Sequence, residues 1–419
     1  MQNVIKNRDI RVGVFGLLRG ESFAKSAEHT GMKLVAICDK YEPLLNEASK
    51  KYGVKGYLDF DSFINHDMDA IIVASYFHQH APFAIKAMDK GLHVLSETSC
   101  NITLAEGVEL YRKSEETGLC YMLAENYCYT KKNQEMKKLY EAGEIGDVRY
   151  AEGEYNHPLP MRSIIKLSKG INHWRNNMPA CYYSTHALAP LMYITNTMPV
   201  EVSSMAVPIE IKGGTKDAFV IILRMDNGSI FRLIGGGFAG HSYWYSFHGT
   251  TGAMEGGRSI NNSEIIRVWH EPWSLKDGQE LEKLYIPQWP SNERQADATG
   301  HGGGDFFVEY NFAEAIKTGI QPYLNAYRGI TMSNIGILAW RSVHNNGAFV
   351  RVPDLKDKID QAEIQKDRLC PFSDVENSVL MPPNMLAKRK FTPELTVMAR
   401  ETWKEAGYTD AQIEEMLKP

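Results

Sequence analysis

The sequence predicts an α/β protein: a doubly wound parallel sheet at the N-terminus, then an α+β domain with an open, mostly antiparallel sheet. Three observations predict it. A strand, a glycine turn and a helix open the chain between residues 10 and 27. Strand-like and helix-like segments then alternate up to about Glu125, which is the pattern of parallel strands joined by helical crossovers. From Val148 the pattern changes to runs with alternating apolar residues, some separated by turn signals such as Asp226-Asn227-Gly228.

The elements follow in order. The apolar run at 10–15 reads as a buried strand, Glu21 to Ala27 as a helix, and 34–39 as the next strand. A helix is expected over 43–52, a strand over 70–74, and a helix around 81–90. A strand at 93–96, a helix around 104–117 and a strand at 120–124 complete the first half. The alternating runs of the second half are 148–155, 202–211, 218–224, 229–234 and 243–248. Helical patterns return at 306–318 and 329–344, and a charged, proline-rich tail ends in a helix from Pro393.

The glycine turn carries the first chemical expectation. Gly13, Gly16 and Gly20 stand where a strand gives way to a helix, a place where backbone amides hold a pyrophosphate. The spacing departs from G-x-G-x-x-G, because Leu18 and Glu21 occupy two of its glycine positions. Asp39 ends the second strand, 23 residues after Gly16. An acid about 20 residues on accepts hydrogen bonds from an adenosine ribose, and its charge repels a 2′-phosphate, which favours NAD over NADP. Ligands of such sheets sit beyond the strand ends, so Ser75 to His80, Glu97-Thr98 and Glu125-Asn126-Tyr127 border the expected cleft.

At 419 residues the chain is too long for one ordinary core, so at least two domains are expected. A hydrophobic content of 43% with 23% charged residues is that of a globular protein, and a net charge of −5 argues against a nucleic-acid surface. No window approaches the roughly 18–20 apolar residues of a membrane span, and the N-terminus has no apolar segment before the first strand. A cytoplasmic protein with no membrane partner is expected. The six cysteines form no C-x-x-C pair and read as reduced thiols. His78, His80 and His93 fit no ligand signature, so no metal is expected. Trp269, Trp273 and Trp289 read as core residues before sugar platforms.

These segments resemble the Gfo/Idh/MocA family of nicotinamide-dependent sugar oxidoreductases, from about Ile10 to Pro353. The resemblance rests on Val12-Gly13-Val14-Phe15-Gly16, Val35-Ala36-Ile37-Cys38-Asp39, the 70–74 strand with His80, the 90–97 segment ending in Glu97, and Gly143-Glu144-Ile145-Gly146-Asp147-Val148. It implies a Rossmann domain over 1–127, a substrate and oligomerisation domain over 128–353, and a C-terminal extension with a terminal helix over 354–419. Two positions depart from the family's dehydrogenases. Their Glu-Lys-Pro is Glu97-Thr98-Ser99 in this chain, so the proton-transfer lysine is missing. Their Asp four residues before the catalytic histidine is Tyr182, ahead of His186. Both departures are similar to the NAD-dependent glycosidase branch, typified by α-N-acetylgalactosaminidases. That branch also has counterparts of Tyr155-Asn156-His157, Tyr183-Ser184-Thr185-His186, Glu125-Asn126 with Tyr129, and Gly300-His301-Gly302-Gly303 with Asp305.

The resemblance implies oxidation at C3 of a sugar, loss of the acidified C2 proton, elimination at C1, water addition and return of the hydride. It places Gly16, Leu17, Leu18, Arg19, Asp39, Ser75, His80, Glu97 and Asn126 along NAD, Tyr155, His157, Tyr183 and His186 at the reacting carbons, and His301 and Asp305 at the substrate. Tyr155 and His157 share a strand face by the two-residue period. A tyrosine acting as a base needs a positive neighbour, which His157 or oxidised nicotinamide would supply. Tyr182 competes with Tyr183 for its role, and Asp305 is equally readable as the cap of the helix at Phe306. The alternative activity is a net NAD(P)-dependent 3-dehydrogenase; a ligand sensor on the same fold is a third reading. A homo-oligomer is expected, because the family's open sheet packs against a partner.

Overall fold

A computed structural model describes residues 4–211, 214–258, 263–290, 293–385 and 392–418. Six parallel strands form the first sheet: β1 (Ile10–Phe15), β2 (Met32–Cys38), β3 (Lys55–Tyr57), β4 (Ala70–Val73), β5 (His93–Ser96) and β6 (Tyr121–Leu123). Their spatial order is β3-β2-β1-β4-β5-β6, so the order reverses between β1 and β4. That reversal opens a crevice beyond the strand ends. Strands β4 and β5 are buried at every position, as central strands covered on both faces must be.

The second sheet has nine strands: β7 (Tyr150–Asn156), β8 (Pro199–Ile211), β9 (Gly214–Met225), β10 (Ile230–Gly236), β11 (Ser242–His248), β12 (Gly252–Gly256), β13 (Ile266–His270), β14 (Glu282–Tyr285) and β15 (Val350–Arg351). The order is β14-β13-β12-β11-β7-β10-β9-β8-β15. All ladders are antiparallel except β7 with β10. The helices Thr185–Thr195 and Ala326–His344 pack against this sheet, the first buried at nearly every residue and the second at most of them. The sequence expects five of these strands; β12 to β14 are short and β15 has two residues, too brief for a period to register.

The tail after β15 is no separate body. Arg341 holds Asp367 with two hydrogen bonds of 2.5 and 2.7 Å, and Ala105 donates to the Asp367 carbonyl at 3.0 Å. The buried residues Leu355, Cys370 and Phe372 join the main core. The expected terminal helix is a pair, Pro393–Glu405 and Asp410–Met416, each opened by a threonine cap. Leu395, Ala399, Trp403 and Ile413 bury a second small core against Met161, Ile164 and Ile165 of the helix Met161–Leu167. The Trp403 indole N–H donates to the carbonyls of Ile165 and Ser168, so the apolar ring is buried without orphaning its polar edge. Trp289 is buried and Trp269 half-buried, but Trp273 is 80% exposed on a short turn, which corrects the expectation of a core residue there. No helix among the described residues is long and apolar enough to cross a membrane.

Candidate active site

The cofactor crevice is built from backbone first. Gly16 has φ of +91°, and a Cβ there would come within 2.4 Å of the Ala74 carbonyl oxygen. Only glycine lets the turn pass the end of β4 this closely. Gly20 is the next constraint: a Cβ would meet Val14 at 2.6 Å, so the helix Leu17–Ser26 seats directly on β1. The glycines therefore do what the fingerprint requires from shifted positions. The N-cap residue, Gly16, offers no side chain to cap this helix. Its first amide, Leu17, donates to Asp39 Oδ2 at 2.8 Å, while Asp39 Oδ1 accepts from Tyr41 N–H at 2.8 Å. Leu17 is buried and Leu18 is 71% exposed. A helix start with a glycine at its N-cap, beside a carboxylate at the end of β2, fits a pyrophosphate and its ribose.

Farther along the crevice, the His80 ring nitrogens lie 2.9 and 3.2 Å from the carbonyls of Ser99 and Ser75. Burial holds its pKa below the ordinary value, and the neutral ring donates its single N–H to one of the two carbonyls. The Ser75 hydroxyl is buried without a protein partner. Arg19 reaches across the crevice. It donates to Glu97 Oε1 at 2.7 Å and to Asp305 at 2.7 and 3.0 Å. Asp305 also meets His301 Nδ1 at 3.0 Å and accepts from the Asn126 amide at 3.0 Å. Despite burial, this partnership holds the Asp305 carboxyl well below the usual range. Asp305 is not the cap of its helix: Gly303, in the left-handed region, takes that position. The side chain is directed into the charge network, so the cap reading does not hold.

The remaining site residues form one cluster. His186 is the second residue of the helix Thr185–Thr195, and its Nδ1 lies 2.8 Å from both oxygens of Glu125. Glu125 is fully buried, so the pair is shielded from water. The carboxylate fixes the tautomer with the proton on Nδ1 and leaves Nε2 free to accept. The Tyr245 hydroxyl anchors the same helix start, donating to the His186 carbonyl at 2.7 Å. The Tyr155 ring lies 4.5 Å from the His186 ring, and Tyr183 is 4.9 Å from His186 and 5.8 Å from Tyr155. Tyr182 turns away and packs against Phe372, so Tyr183 is the tyrosine that faces the cluster. His157 stacks at 5.9 Å from Tyr155.

Electrostatics corrects one expectation. Burial raises the Tyr155 phenol well above its ordinary value, and burial pushes Tyr183 up to about 12, with Glu97 adding to the effect. His157 is lowered, by burial first and then by His241 and Lys216. A neutral His157 supplies no positive charge to Tyr155.

Three contributors carry no assigned role in the sequence reading, although Tyr127 stands in a segment expected to border the cleft. Tyr127 follows β6 and its ring sits 5.4 Å from Tyr155, 4.9 Å from His186 and 6.1 Å from His301. Tyr243 is the antiparallel partner of Tyr155 across β7 and β11, with rings 5.2 Å apart. His241 lies 4.8 Å from His157, and its Nε2 is 2.5 Å from the Tyr243 hydroxyl. The signal for the last two was the repeated alternation: His241 and Tyr243 stand two apart, as Tyr155 and His157 do.

Residues 10–125 match the oxidoreductase family with an NAD-binding Rossmann fold, and residues 133–255 match the GFO/IDH/MocA C-terminal domain. The chain belongs to the Gfo/Idh/MocA family. Its N-terminal domain is accordingly an NAD-binding domain. Residues 241–358 match the glycosyl hydrolase 109 C-terminal domain. A glycosyl hydrolase family 109 protein of Solibacter usitatus is 26% identical over 389 residues, covering 83% of this chain and 88% of that protein. One of Saccharopolyspora erythraea is 25% identical, covering 82% and 83%. Among solved structures, levoglucosan dehydrogenase in complex with NADH and levoglucosan aligns with a TM-score of 0.71 at 19% identity, over 83% of this chain and all of the other. Apo scyllo-inositol dehydrogenase from Lactobacillus casei aligns at 0.63 and 17% identity, over 83% of this chain and 99% of the other. These structures share the two-domain fold.

Proposed function

We propose that the protein is an NAD-dependent glycosidase that cleaves its substrate without net oxidation. The observation that carries this reading is the convergence of Tyr155, Tyr183 and a carboxylate-oriented His186 on one space, with neutral Thr98 where the family's dehydrogenases hold a lysine. The names of the glycosyl hydrolase family 109 relatives support it. NAD would supply hydride transfer at the sugar C3, out and back. Gly16, Leu17, Leu18 and Arg19 would hold its pyrophosphate, Asp39 its ribose, and Ser75, His80, Glu97 and Asn126 would line the rest of its path.

The protons fall to the chain's own residues. His186 Nε2 takes the C3 hydroxyl proton, and the buried Glu125 stabilises the imidazolium that forms. A carbonyl at C3 acidifies C2, and Tyr155 receives the C2 proton as its own hydroxyl proton passes to water in the cleft. The electron pair left at C2 forms the C1–C2 double bond as the C1–oxygen bond breaks. Tyr183 gives its hydroxyl proton to the leaving oxygen, and neutral His157 hydrogen-bonds beside it. Water then adds at C1 as its proton returns to the Tyr183 oxygen, C2 regains a proton from Tyr155, and His186 returns its proton to the C3 oxygen. His301 and Asp305 bound the substrate side.

The protein works in the cytoplasm, a reading supported by six buried, unpaired thiols. It assembles as a homo-oligomer through the open sheet face, where Met205 and Val207 are 71% and 43% exposed. The test is cofactor stoichiometry. With NAD supplied only at enzyme-like amounts, a cleavable nitrophenyl glycoside is expected to turn over many times without free NADH accumulating. NADH growing in step with product identifies the 3-dehydrogenase instead.

A further inference from the structure

The C-terminal extension lies beyond the matched domains, which end at residue 358, and it reaches the cofactor crevice from two sides. Two loops border that crevice: the one after β2 with Asp39, Lys40 and Tyr41, and the one after β4 from Ser75 to His80. Lys40 Nζ lies 4.3 Å from the centre of the Tyr76 ring and links them. A strap, residues 168–174, crosses the same two loops. Lys169 Nζ stands 5.2 Å from the Tyr41 ring, and the His173 ring meets Tyr76 edge-on at 5.4 Å. Trp174 stacks on Phe77 at 5.4 Å, the rings 12° from parallel. The buried Trp174 indole N–H, like the Ser75 hydroxyl, has no hydrogen-bond partner among the described residues. Such orphans are what a ligand seated in the crevice would satisfy. The extension holds the strap from behind. The Ile171 N–H donates to the Met416 carbonyl at 2.9 Å, and the Asn172 amide donates to the Lys418 carbonyl at 3.2 Å. Trp403 donates to the Ser168 carbonyl at 3.2 Å, and Lys169 Nζ also faces the Tyr408 ring at 5.9 Å. A second tether acts on the loop after β4. The buried His78 meets Asp374 Oδ2 through Nε2 at 2.7 Å, and its ring stacks on Phe372 at 5.2 Å.

We infer that the C-terminal extension is a clasp that keeps NAD in its crevice from one turnover to the next. A strap that crosses both bordering loops must part from at least one of them before a dinucleotide leaves. Parting here separates Trp174 from Phe77 and His173 from Tyr76. The strap is not free to swing, because the small core of Leu395, Ala399, Trp403 and Ile413 anchors the helices that hold it. Opening therefore costs contacts in the extension as well as in the crevice, and that cost falls on the rate of release. Lys169, His173 and Trp174 are the contacts at the crevice; Trp403 and Asp374 act through them as positioning residues. The inference deepens the redox-neutral reading and rests on it for its purpose. A cofactor that ends each cycle as NAD has no need to leave, whereas a dehydrogenase must exchange its cofactor at every turnover.

The test follows cofactor release from the full-length protein with no sugar present. The protein is loaded with NADH and mixed with excess NAD, and the loss of bound-NADH fluorescence gives the release rate. Trp403→Ala is expected to raise that rate on the order of tenfold, and Lys169→Ala and Asp374→Ala each by a smaller factor, because changes of this kind sit mainly in the off-rate. Wild-type protein is expected to carry NAD through gel filtration and Trp403→Ala to lose it. At saturating NAD, Trp403→Ala is expected to cleave a nitrophenyl glycoside with the wild-type kcat. Limited proteolysis shows whether the terminal helices have been released, and Tyr408→Ala replaces Trp403→Ala if the latter loses its fold. A wild-type release rate in Trp403→Ala with its terminal helices cleaved free overturns the clasp. A wild-type rate in both Lys169→Ala and Asp374→Ala overturns it too. The two readings fail separately. Faster release in the variants, together with NADH growing in step with product, leaves the clasp standing and removes the redox-neutral reading. Equal release rates, together with many cleavages per NAD, remove the clasp alone.

Discussion

The two walls of the cleft are built on opposite electrostatic plans. On the cofactor side, Glu97, Arg19 and Asp305 form a fixed line of alternating charges. On the sheet side, Tyr127, Tyr155, His157 and Tyr243 are held neutral by burial. Fixed charges suit positioning, because paired ions hold one another in a stiff geometry. Neutral phenols and imidazoles suit proton movement, because each is both donor and acceptor. His186 with Glu125 stands where the two meet, a base whose direction is set by a buried charge.

The largest effect is expected on the neutral wall. Tyr155→Phe and His186→Ala should each retain fold and NAD binding but lose about 10²- to 10⁴-fold in turnover, measured with the cleavable glycoside. Near wild-type rates would make the cluster structural.

Breaking the charged wall should act on stability first. Arg19→Ala leaves Asp305, with a side chain only 2% exposed, without its guanidinium partner, whose own side chain is 29% exposed. Removing one member of such a partly buried pair costs about 1–3 kcal/mol, read from denaturant unfolding. The pH dependence carries a defined sign. The folded pKa of Asp305 is depressed, so its stabilisation is full above the ordinary carboxylate range and fades as pH falls from about 4 toward the folded value. In Arg19→Ala that acid-side loss should shrink. An unchanged unfolding curve would show that the network contributes nothing.

A smaller, local effect is expected at the second core. Trp403→Ala should release the pair of terminal helices and expose the helix Met161–Leu167 to limited proteolysis, with the main melting transition little changed. Loss of the whole fold would show that the extension is integral to both domains. The smallest effect is at Asp39. Asp39→Ala should weaken NAD about tenfold, 1.4 kcal/mol, and narrow its preference over NADP, both read by titration. Unchanged affinity for both cofactors would remove Asp39 from the site.

What the sequence disclosed follows from how local each signal is. Gly16, Asp39 and the strand–helix alternation lie within a few dozen residues, and propensity and period register them directly. Tyr155 with His157, and Tyr183 with His186, are likewise short-range patterns. The links between regions were not legible. Arg19 meets Asp305 across 286 positions, and Tyr243 meets Tyr155 only through strand register. Burial also escaped a one-dimensional reading. Glu125 and Tyr127 stood in a segment the strand ends singled out, but nothing local says that the carboxylate is enclosed beneath His186. Glu97 and Asp305 looked like independent acids until the fold put Arg19 between them.

The central claim is that the neutral wall moves the C2 proton while the cofactor ends as it began. Running the cleavage reaction in D₂O and reading the released sugar by NMR tests it most directly. Deuterium at C2, hydrogen retained at C3 and no keto-sugar accumulating is the expected result. Protium retained at C2 in a cleaved product, or a stable 3-keto product with its glycosidic bond intact, would contradict the account.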